Sequence, residues 1–383
     1  MSHDTTITHP ARPTPAFVWG YNNRAGLGLG HTARVPRPTT AWLPADTVDV
    51  QGGINFTVAL TADGALYAWG GNQYGQLGDS STTIRREPTP VALPEHAKIS
   101  AIAVGTDHVL ALACDRQVLA WGRNHRGQIG IGSTSDQHTP VVVLGHGIAS
   151  IGAGNAISAA VTDQGELRVW GRNSFGQLGL APVLAPRYGM DGLHEVHEHQ
   201  LRPASAVLPH GARAALADAG QRHLVVLTTD GKLLQFGIDA AGAPRAGELA
   251  VKPSWGRPVQ ICAGDDFTLI RTDRGLLLAV GGNGDGQLGL GDLRPRSTPA
   301  LVTLPHADGT VADMWAGARS GLAITTAHEV YTWGDSSLGQ TGHGAPQRPG
   351  ATAQPSPRKI DKLSEARISN ASGGAHHMIL TAS

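Results

Sequence analysis

Charge is scarce in this sequence. Asp, Glu, Lys and Arg make up only 16% of the 383 residues, and they cancel to a formal net charge of zero. A nucleic-acid binder usually carries a basic excess or a basic patch, and no basic run is present, so nucleic acid is not an expected partner. Lysine is rarer still, at 5 residues against 25 arginines. The two cysteines, Cys114 and Cys262, fall in different repeats and give no disulfide framework. They are expected in strands, as buried free thiols. No apolar run approaches a membrane span, so no membrane partner is expected. The first residues, MSHDTTITHPARPTPA, lack the apolar centre of a signal peptide. The expectation is a cytoplasmic, monomeric protein without a cofactor.

Glycine is plentiful, with 51 residues, and there are 24 prolines. The chain is still too apolar and too weakly charged for disorder. It suits short strands joined by tight turns, where glycine supplies positive φ. The loudest signal is an eleven-residue phrase, AWGGNQYGQLG at 68–78. It returns as AWGRNHRGQIG (120–130), VWGRNSFGQLG (169–179) and AVGGNGDGQLG (279–289). Looser copies are VWGYNNRAGLG (18–28), TWGDSSLGQTG (332–342) and the eroded QFGIDAAGAPR (235–245).

The Trp-Gly positions or their substitutes are Trp19, Trp69, Trp121, Trp170, Phe236, Val280 and Trp333, spaced 50, 52, 49, 66, 44 and 53 residues apart. A period near 50 with strand-like content is that of β-propeller blades. Residues 97–144 show the unit: KISAIAVG, HVLALACD, QVLAWGRN and TPVVVL read as four strands. Asp-Gly turns such as Asp63-Gly64 and Asp230-Gly231 mark the hairpin between the second and third. The chain opens on a third and a fourth strand (16–20 and 39–44) and closes on a first and a second (367–383). Pairing the two half-blades closes a ring of seven and removes the open sheet edge. The expected organisation is a flexible tail over 1–15 and one all-β propeller over 16–383. From Gly179 to Leu208 is 29 residues, against 15 from Gly78 to Leu93, which places an insertion at about 180–205.

The pattern G-x-x-H-x-x-A-L, then D-G, then W-G-x-N-x-x-G-Q-L-G resembles the regulator of chromosome condensation (RCC1-like) repeat over roughly residues 16–383. The resemblance implies a seven-bladed β-propeller with four antiparallel strands per blade. The family's founding member exchanges nucleotide on the small GTPase Ran and binds chromatin; others are β-lactamase inhibitors, ubiquitin-ligase modules, GTPase regulators or adaptors. Here the N-terminal tail lacks the basic run of the chromatin-binding member. No stretch aligns with the exchange factor's wedge, so exchange on Ran is not carried over. Fold alone does not assign function.

Alternating antiparallel strands put the 1–2 and 3–4 connections on one face, the loop face, and the Asp-Gly turns on the other. The tail is expected to leave on that other face. Function on propellers concentrates in such loops. The 1–2 turns contribute Asp107, Arg222, Asp265, Asp266, Arg319 and His376 around the channel mouth. The phrase contributes Tyr21, Arg24, Tyr74, Arg123, His125, Arg126, Arg172 and Phe175 further out. Tyrosine and arginine are enriched at binding hot spots, and Tyr74, Arg123, Arg126, Arg172 and Phe175 come from three consecutive blades. These residues are the candidate partner-binding set.

The phrase tryptophans and the histidines at one repeat position (His108, His223 and His377, with Phe56 and Phe267 in the same slot) read as packing residues. HEVHEH at 194–199 offers His194, His197 and His199 as weak metal ligands. The fourth position after His194 is Glu198, so the zincin spacing is absent, and a solvated loop is the plainer reading. No catalytic motif is found. Three functions follow: a protein-binding propeller acting as adaptor, inhibitor or regulator; a guanine-nucleotide exchange factor for a small GTPase; and an enzyme or small-molecule site at the channel mouth. The third requires converging groups such as His376, Asp107, Arg222, Asp265 and Arg319.

Overall fold

A computed structural model describes residues 13–180, 188–189, 192–193, 199–239, 241–344, 352–363 and 366–382. Its strands form seven four-stranded antiparallel sheets, with one two-residue ribbon in the insertion. The sheets stand as blades around a central channel, so the chain is a seven-bladed β-propeller. Blade 1 is built from both ends of the chain. Its inner strands are Ile368–Gly373 and His377–Ala382, and its outer strands are Pro13–Gly20 and Val35–Ala45. The two halves meet in antiparallel register, with Ala16 opposite Thr381 and Trp19 opposite Met378. The first strand starts at Pro13, three residues earlier than the sequence suggests. Residues 1–12, including the tail's exit, lie outside the described residues. Blades 2 to 7 follow in order, with inner strands starting at Thr47, Ile99, Ile148, Ala214, Pro258 and Val311.

The second strand of a blade is buried along nearly its whole length because it lies between two other blades. Phe56–Thr61, His108–Ala113 and His223–Thr228 are buried at all six positions. The core is correspondingly divided into seven clusters, one per seam. One holds Phe56, Val58 and Trp121 between blades 2 and 3; another holds Val225, Leu278 and Val280 between blades 5 and 6. The hairpin turns carry their residue choice for conformational reasons. Gly64, Gly165, Gly231 and Gly275 sit at φ between +68° and +84°, and Arg116 (+71°) and His328 (+62°) hold the same place in two other blades. Cys114 departs from expectation. It lies in such a turn and is exposed, while Cys262 is in a strand and partly buried.

The repeated phrase is the seam itself. Its tryptophan reaches into the preceding blade, and the indole Nε1 donates to the backbone carbonyl of that blade's glutamine. Trp121 bonds Gln76 at 3.0 Å, Trp170 bonds Gln128 at 2.8 Å, Trp333 bonds Gln287 at 2.8 Å and Trp19 bonds Gln340 at 2.8 Å. Trp69 bonds Gly26, which stands in the glutamine's place, at 2.9 Å. The last glycine of the phrase lies under the same indole. A Cβ on Gly78 would come within 2.8 Å of Trp121 Nε1, at a φ of +65°. The other letters hold the loop to itself. Asn72 Oδ1 accepts from Leu77 N at 3.0 Å, and Gln76 Oε1 accepts from Tyr74 N at 2.9 Å.

Blade 5 lacks this bond on both sides. Phe236 has no donor to offer Gln177, and towards blade 6 both partners are gone, with Val280 facing an eroded phrase. The histidine slot follows a matched rule. His108, His223 and His377 each place Nε2 near a hydroxyl of the next blade, on Ser158 (2.9 Å), Thr268 (2.9 Å) and Thr57 (3.1 Å). Where the slot is Phe56 or Phe267, the facing residue is Val109 or Gly321, without a hydroxyl. Burial depresses His223 to about 4 and His377 to about 3, so both are neutral at pH 7.

Two outcomes follow from the seams. Phe236→Trp restores a donor opposite the Gln177 carbonyl and should stabilise the chain by about 1 kcal/mol, read as a rise in Tm. An unchanged or lower Tm would mean that this seam has lost the space as well as the bond. The buried histidines have folded pKa values below the unfolded value. Their contribution is therefore complete above about pH 6.5 and is lost as pH falls towards 4. The paired change His223→Phe with Thr268→Val should shrink the drop in Tm between pH 7.5 and pH 5; an equal drop would place the acid sensitivity elsewhere.

Candidate functional site

The channel is walled by the seven inner strands, whose third and fifth residues alternate inward. It encloses about 370 Å³ and is lined by Asp49, Gln51, Asp218, Gln260, Cys262 and Trp315 among others. These polar side chains mostly bind the backbone of the ring. Asp218 accepts from Ala219 N (2.9 Å) and from Ala263 N of the next blade (2.8 Å). Gln51 Oε1 accepts from Val104 N at 3.2 Å, and Cys262 Sγ from Ala316 N at 3.2 Å. Burial raises Asp218 to about 7, against the two N–H bonds that lower it. The alternation is present in TVDVQG, PVQICA and VADMWA but does not stand out there, because the strands are short and the intervening residues are buried and apolar.

At the mouth the 1–2 turns are tied to one another through backbone. Ile54 N donates to Thr106 O (2.9 Å), Thr106 N to Gly154 O (3.3 Å), Asn155 N to Gly220 O (3.1 Å) and Gln221 N to Asp265 O (2.8 Å). Asp265 N donates to Ala318 O (2.9 Å) and Ala375 N to Gly53 O (3.1 Å). The rim is therefore a rigid collar from which side chains project.

The outer candidates assemble across blades. The Arg123 guanidinium lies 4.3 Å from the Tyr74 ring centroid and pairs with Asp107 at 3.3 Å. Arg172 lies 4.9 Å from the Phe175 ring, and Arg222 of the next blade approaches the same ring at 6.0 Å. Arg126 Nη1 is 2.7 Å from His199 Nε2. His125 is on the surface between these cations. Partial desolvation, then the charges of Arg123 and Arg126, hold it down at about 4. Tyr21 meets His376 edge to face at 6.3 Å, and burial lowers the His376 pKa. Arg24 is exposed on the blade 1 loop, apart from the three-blade group.

The far side of the mouth has the opposite sign. Asp265, Asp266 and Asp285 stand on blade 6 and Asp335 on blade 7, with Arg319 paired to Asp285 at 3.1 Å. Asp266 Oδ1 accepts from Gln287 Nε2 at 3.0 Å. Burial, then the charge of Asp266, raises Asp265 to about 6, against the attraction of Arg319 and Arg222. Burial also raises Asp107, against Arg123. Of the five groups that a channel-mouth enzyme would need, only Asp265 lines the cavity. Asp285 and Asp335 were not singled out in sequence; their signal is that they follow Asn-Gly and Trp-Gly at variable phrase positions.

Among the described residues no group of three or more His, Cys, Asp or Glu is placed to hold a metal. His194 and His197 lie outside the described residues. His199 meets an arginine, which is no ligand geometry.

Known proteins place this architecture. The chain matches the regulator of chromosome condensation (RCC1) repeat over residues 63–112, 115–161 and 327–380, and a second description of that repeat over 48–76, 99–128, 148–177 and 259–287. It is 29% identical to the ultraviolet-B receptor UVR8 of Arabidopsis thaliana, covering 94% of this chain and 79% of that protein. It is 27% identical to the human regulator of chromosome condensation, covering 97% and 92%. It is 30% identical to human E3 ubiquitin-protein ligase HERC2, where 94% of the chain covers only 7% of the relative. Human WBSCR16 shares the fold at a TM-score of 0.80 and 21% identity, covering 97% of this chain and 99% of that one. Yeast RCC1 (Prp20), solved bound to Kap60, does so at a TM-score of 0.80 and 20% identity, covering 100% and 95%.

The rim electrostatics give a direct test. By carboxyl carbon NMR, Asp265 should titrate near pH 6, lower in Asp266→Asn and higher in Arg319→Gln. A titration near 4 in the wild type would show that the collar does not bury it.

Proposed function

Because the chain belongs to the regulator of chromosome condensation (RCC1) repeat family, we propose that it is a protein-binding regulator that presents its loop face to a macromolecular partner. The observation that carries this reading is the surface built by blades 2 to 5. Arg123 on Tyr74 and Arg222 on Phe175 are cation–π pairs that span blade boundaries, and Arg172 stacks on Phe175 within blade 4. Stacking orders long side chains before binding, which lowers the entropy lost on association. The rigid collar beneath them adds to that preorganisation. Relatives named as a receptor, a ubiquitin ligase and a regulator support the same class of activity.

A channel-mouth enzyme has less support, because the groups it needs do not converge in the cavity and the Asp218 carboxylate in its wall is held by backbone N–H groups. Replacing Tyr74, Arg126, Arg172 and Phe175 with alanine should abolish partner capture from a lysate of the native source while Tm stays within a few degrees of wild type. Undiminished capture by the folded variant would remove this face from the function.

A further inference from the structure

We propose that the central channel binds a small organic ammonium compound, with its charged head on Asp313 and Asp49 and its apolar body against the opposite wall. This site is separate from the loop face and does not rest on the protein-binding reading. The channel encloses about 370 Å³, within the range of pockets that take small ligands. Its wall is divided by character. On blades 6, 7, 1 and 2 the inward third residues are Gln260, Asp313, Asn370 and Asp49. On blades 3 to 5 the wall carries Ala103, Gly152 and Leu216, and Leu216 is 37% exposed there. Asp218 stands on that side too, but each of its oxygens accepts from a backbone N–H.

The polar side holds acceptors without a cation. Asp313 Oδ1 accepts from Gln260 Nε2 and from Met314 N, both at 2.8 Å, while its Oδ2 accepts from none of the described residues. Arg271 stands behind this pair. It donates to Gln260 Oε1 at 2.8 Å, which leaves the amide's NH2 for Asp313. Asn370 Nδ2 and Gln51 Nε2 donate to the two oxygens of Asp49, each at 3.2 Å. Among the described residues, none of Asp49, Asp218 and Asp313 has an ion-pair partner. Burial raises the Asp49 pKa and the charge of Asp313 adds to the rise, against the bonds from Asn370, Gln51 and Val50.

Between these carboxylates, Ser372 supplies an independent sign of a missing partner. It lines the channel, is only 4% exposed, and its hydroxyl bonds none of the described residues. A buried polar group left unpaired costs free energy, and an ammonium in the channel gives that oxygen a donor. Trp315, in the same layer on the neighbouring blade, adds an aromatic ring to the wall, the kind of surface that attracts a cation. A metal ion suits the channel less. Among the described residues no three carboxylates, thiols or imidazoles are placed to hold one, and the apolar wall offers it no ligand.

Isothermal titration calorimetry of the full chain tests this with n-hexylammonium, 1-hexanol, hexanoate and calcium as probes. The ammonium should bind at least about tenfold more tightly than the alcohol or the acid, the factor expected of a hydrogen bond between charged groups. Asp313→Asn keeps the shape and removes the charge, and should weaken binding about tenfold or more. Leu216→Trp narrows the channel without touching a carboxylate and should weaken it as much, so either variant decides if the other fails to fold. Asp285→Asn with Asp335→Asn, on the outer rim, should leave the affinity within about twofold. Equal binding of 1-hexanol or hexanoate overturns the proposal. So does tighter binding of calcium, which would give the carboxylates to a metal. Loss of binding in the rim variant, or undiminished binding in folded Asp313→Asn or Leu216→Trp, puts the ammonium outside the channel and overturns it as well.

Discussion

One hydrogen bond organises this molecule: an indole N–H of one blade given to a backbone carbonyl of the blade before it. Twisted sheets standing side by side bury apolar faces without fixing their mutual height or tilt. A directional bond from a fully buried tryptophan supplies that missing constraint. Because donor and acceptor loop belong to the same repeated phrase, the copies at 18–28, 68–78, 120–130 and 332–342 each serve both the seam before and the seam after. The glycine under the indole and the asparagine and glutamine that brace the loop are consequences of this geometry. Substituting any of them disturbs two blades at once.

The same division of labour leaves the remaining letters of the phrase unconstrained by structure. Residues such as Tyr74, Arg123 and Phe175 ride on loops whose backbone is already fixed by their neighbours in sequence. The collar of backbone hydrogen bonds between the 1–2 turns does the same for Asp265 and Arg319. The variable residues thus vary on a rigid frame. Their charges are also sorted: arginines gather on blades 3 to 5 and aspartates on blades 6 and 7, and the few crossing pairs, such as Arg319 with Asp285, lie within the acidic arc.

Much of this was legible in sequence because a repeat multiplies weak signals. Blade number, ring closure by half-blades and the packing role of Trp69 and His108 follow from spacing and from recurrence at fixed positions. What spacing cannot carry is who meets whom across a seam. Arg123 and Tyr74 are 49 residues apart; a 50-residue period puts them on neighbouring blades, but only geometry turns one onto the other. The channel wall was missed for a different reason. Its polar residues sit in strands short enough that period-two alternation is masked by buried neighbours such as Val50 and Ile261. Cys114 was placed in a strand because the apolar run HVLALAC continues through it, although the hairpin has already begun to turn there.

Blade 1 joins strands from opposite ends of the chain, and this has a temporal consequence. Its strand Pro13–Gly20 is made before the six blades that follow it in sequence, and its partner His377–Ala382 after them. During synthesis, at about 5–20 residues per second, six blades can stack while the outer half of blade 1 waits with an unpaired edge. The closing contacts span nearly the whole chain, and contacts of high sequence separation form slowly. Loop-closure entropy grows only logarithmically with length, so the delay arises less from distance than from order: the seam that completes the ring must wait for every other blade. Until then the nascent protein is an open arc whose first strand has an unpaired edge, and it is at that stage, rather than in its finished state, that it most depends on escaping stray strand pairing.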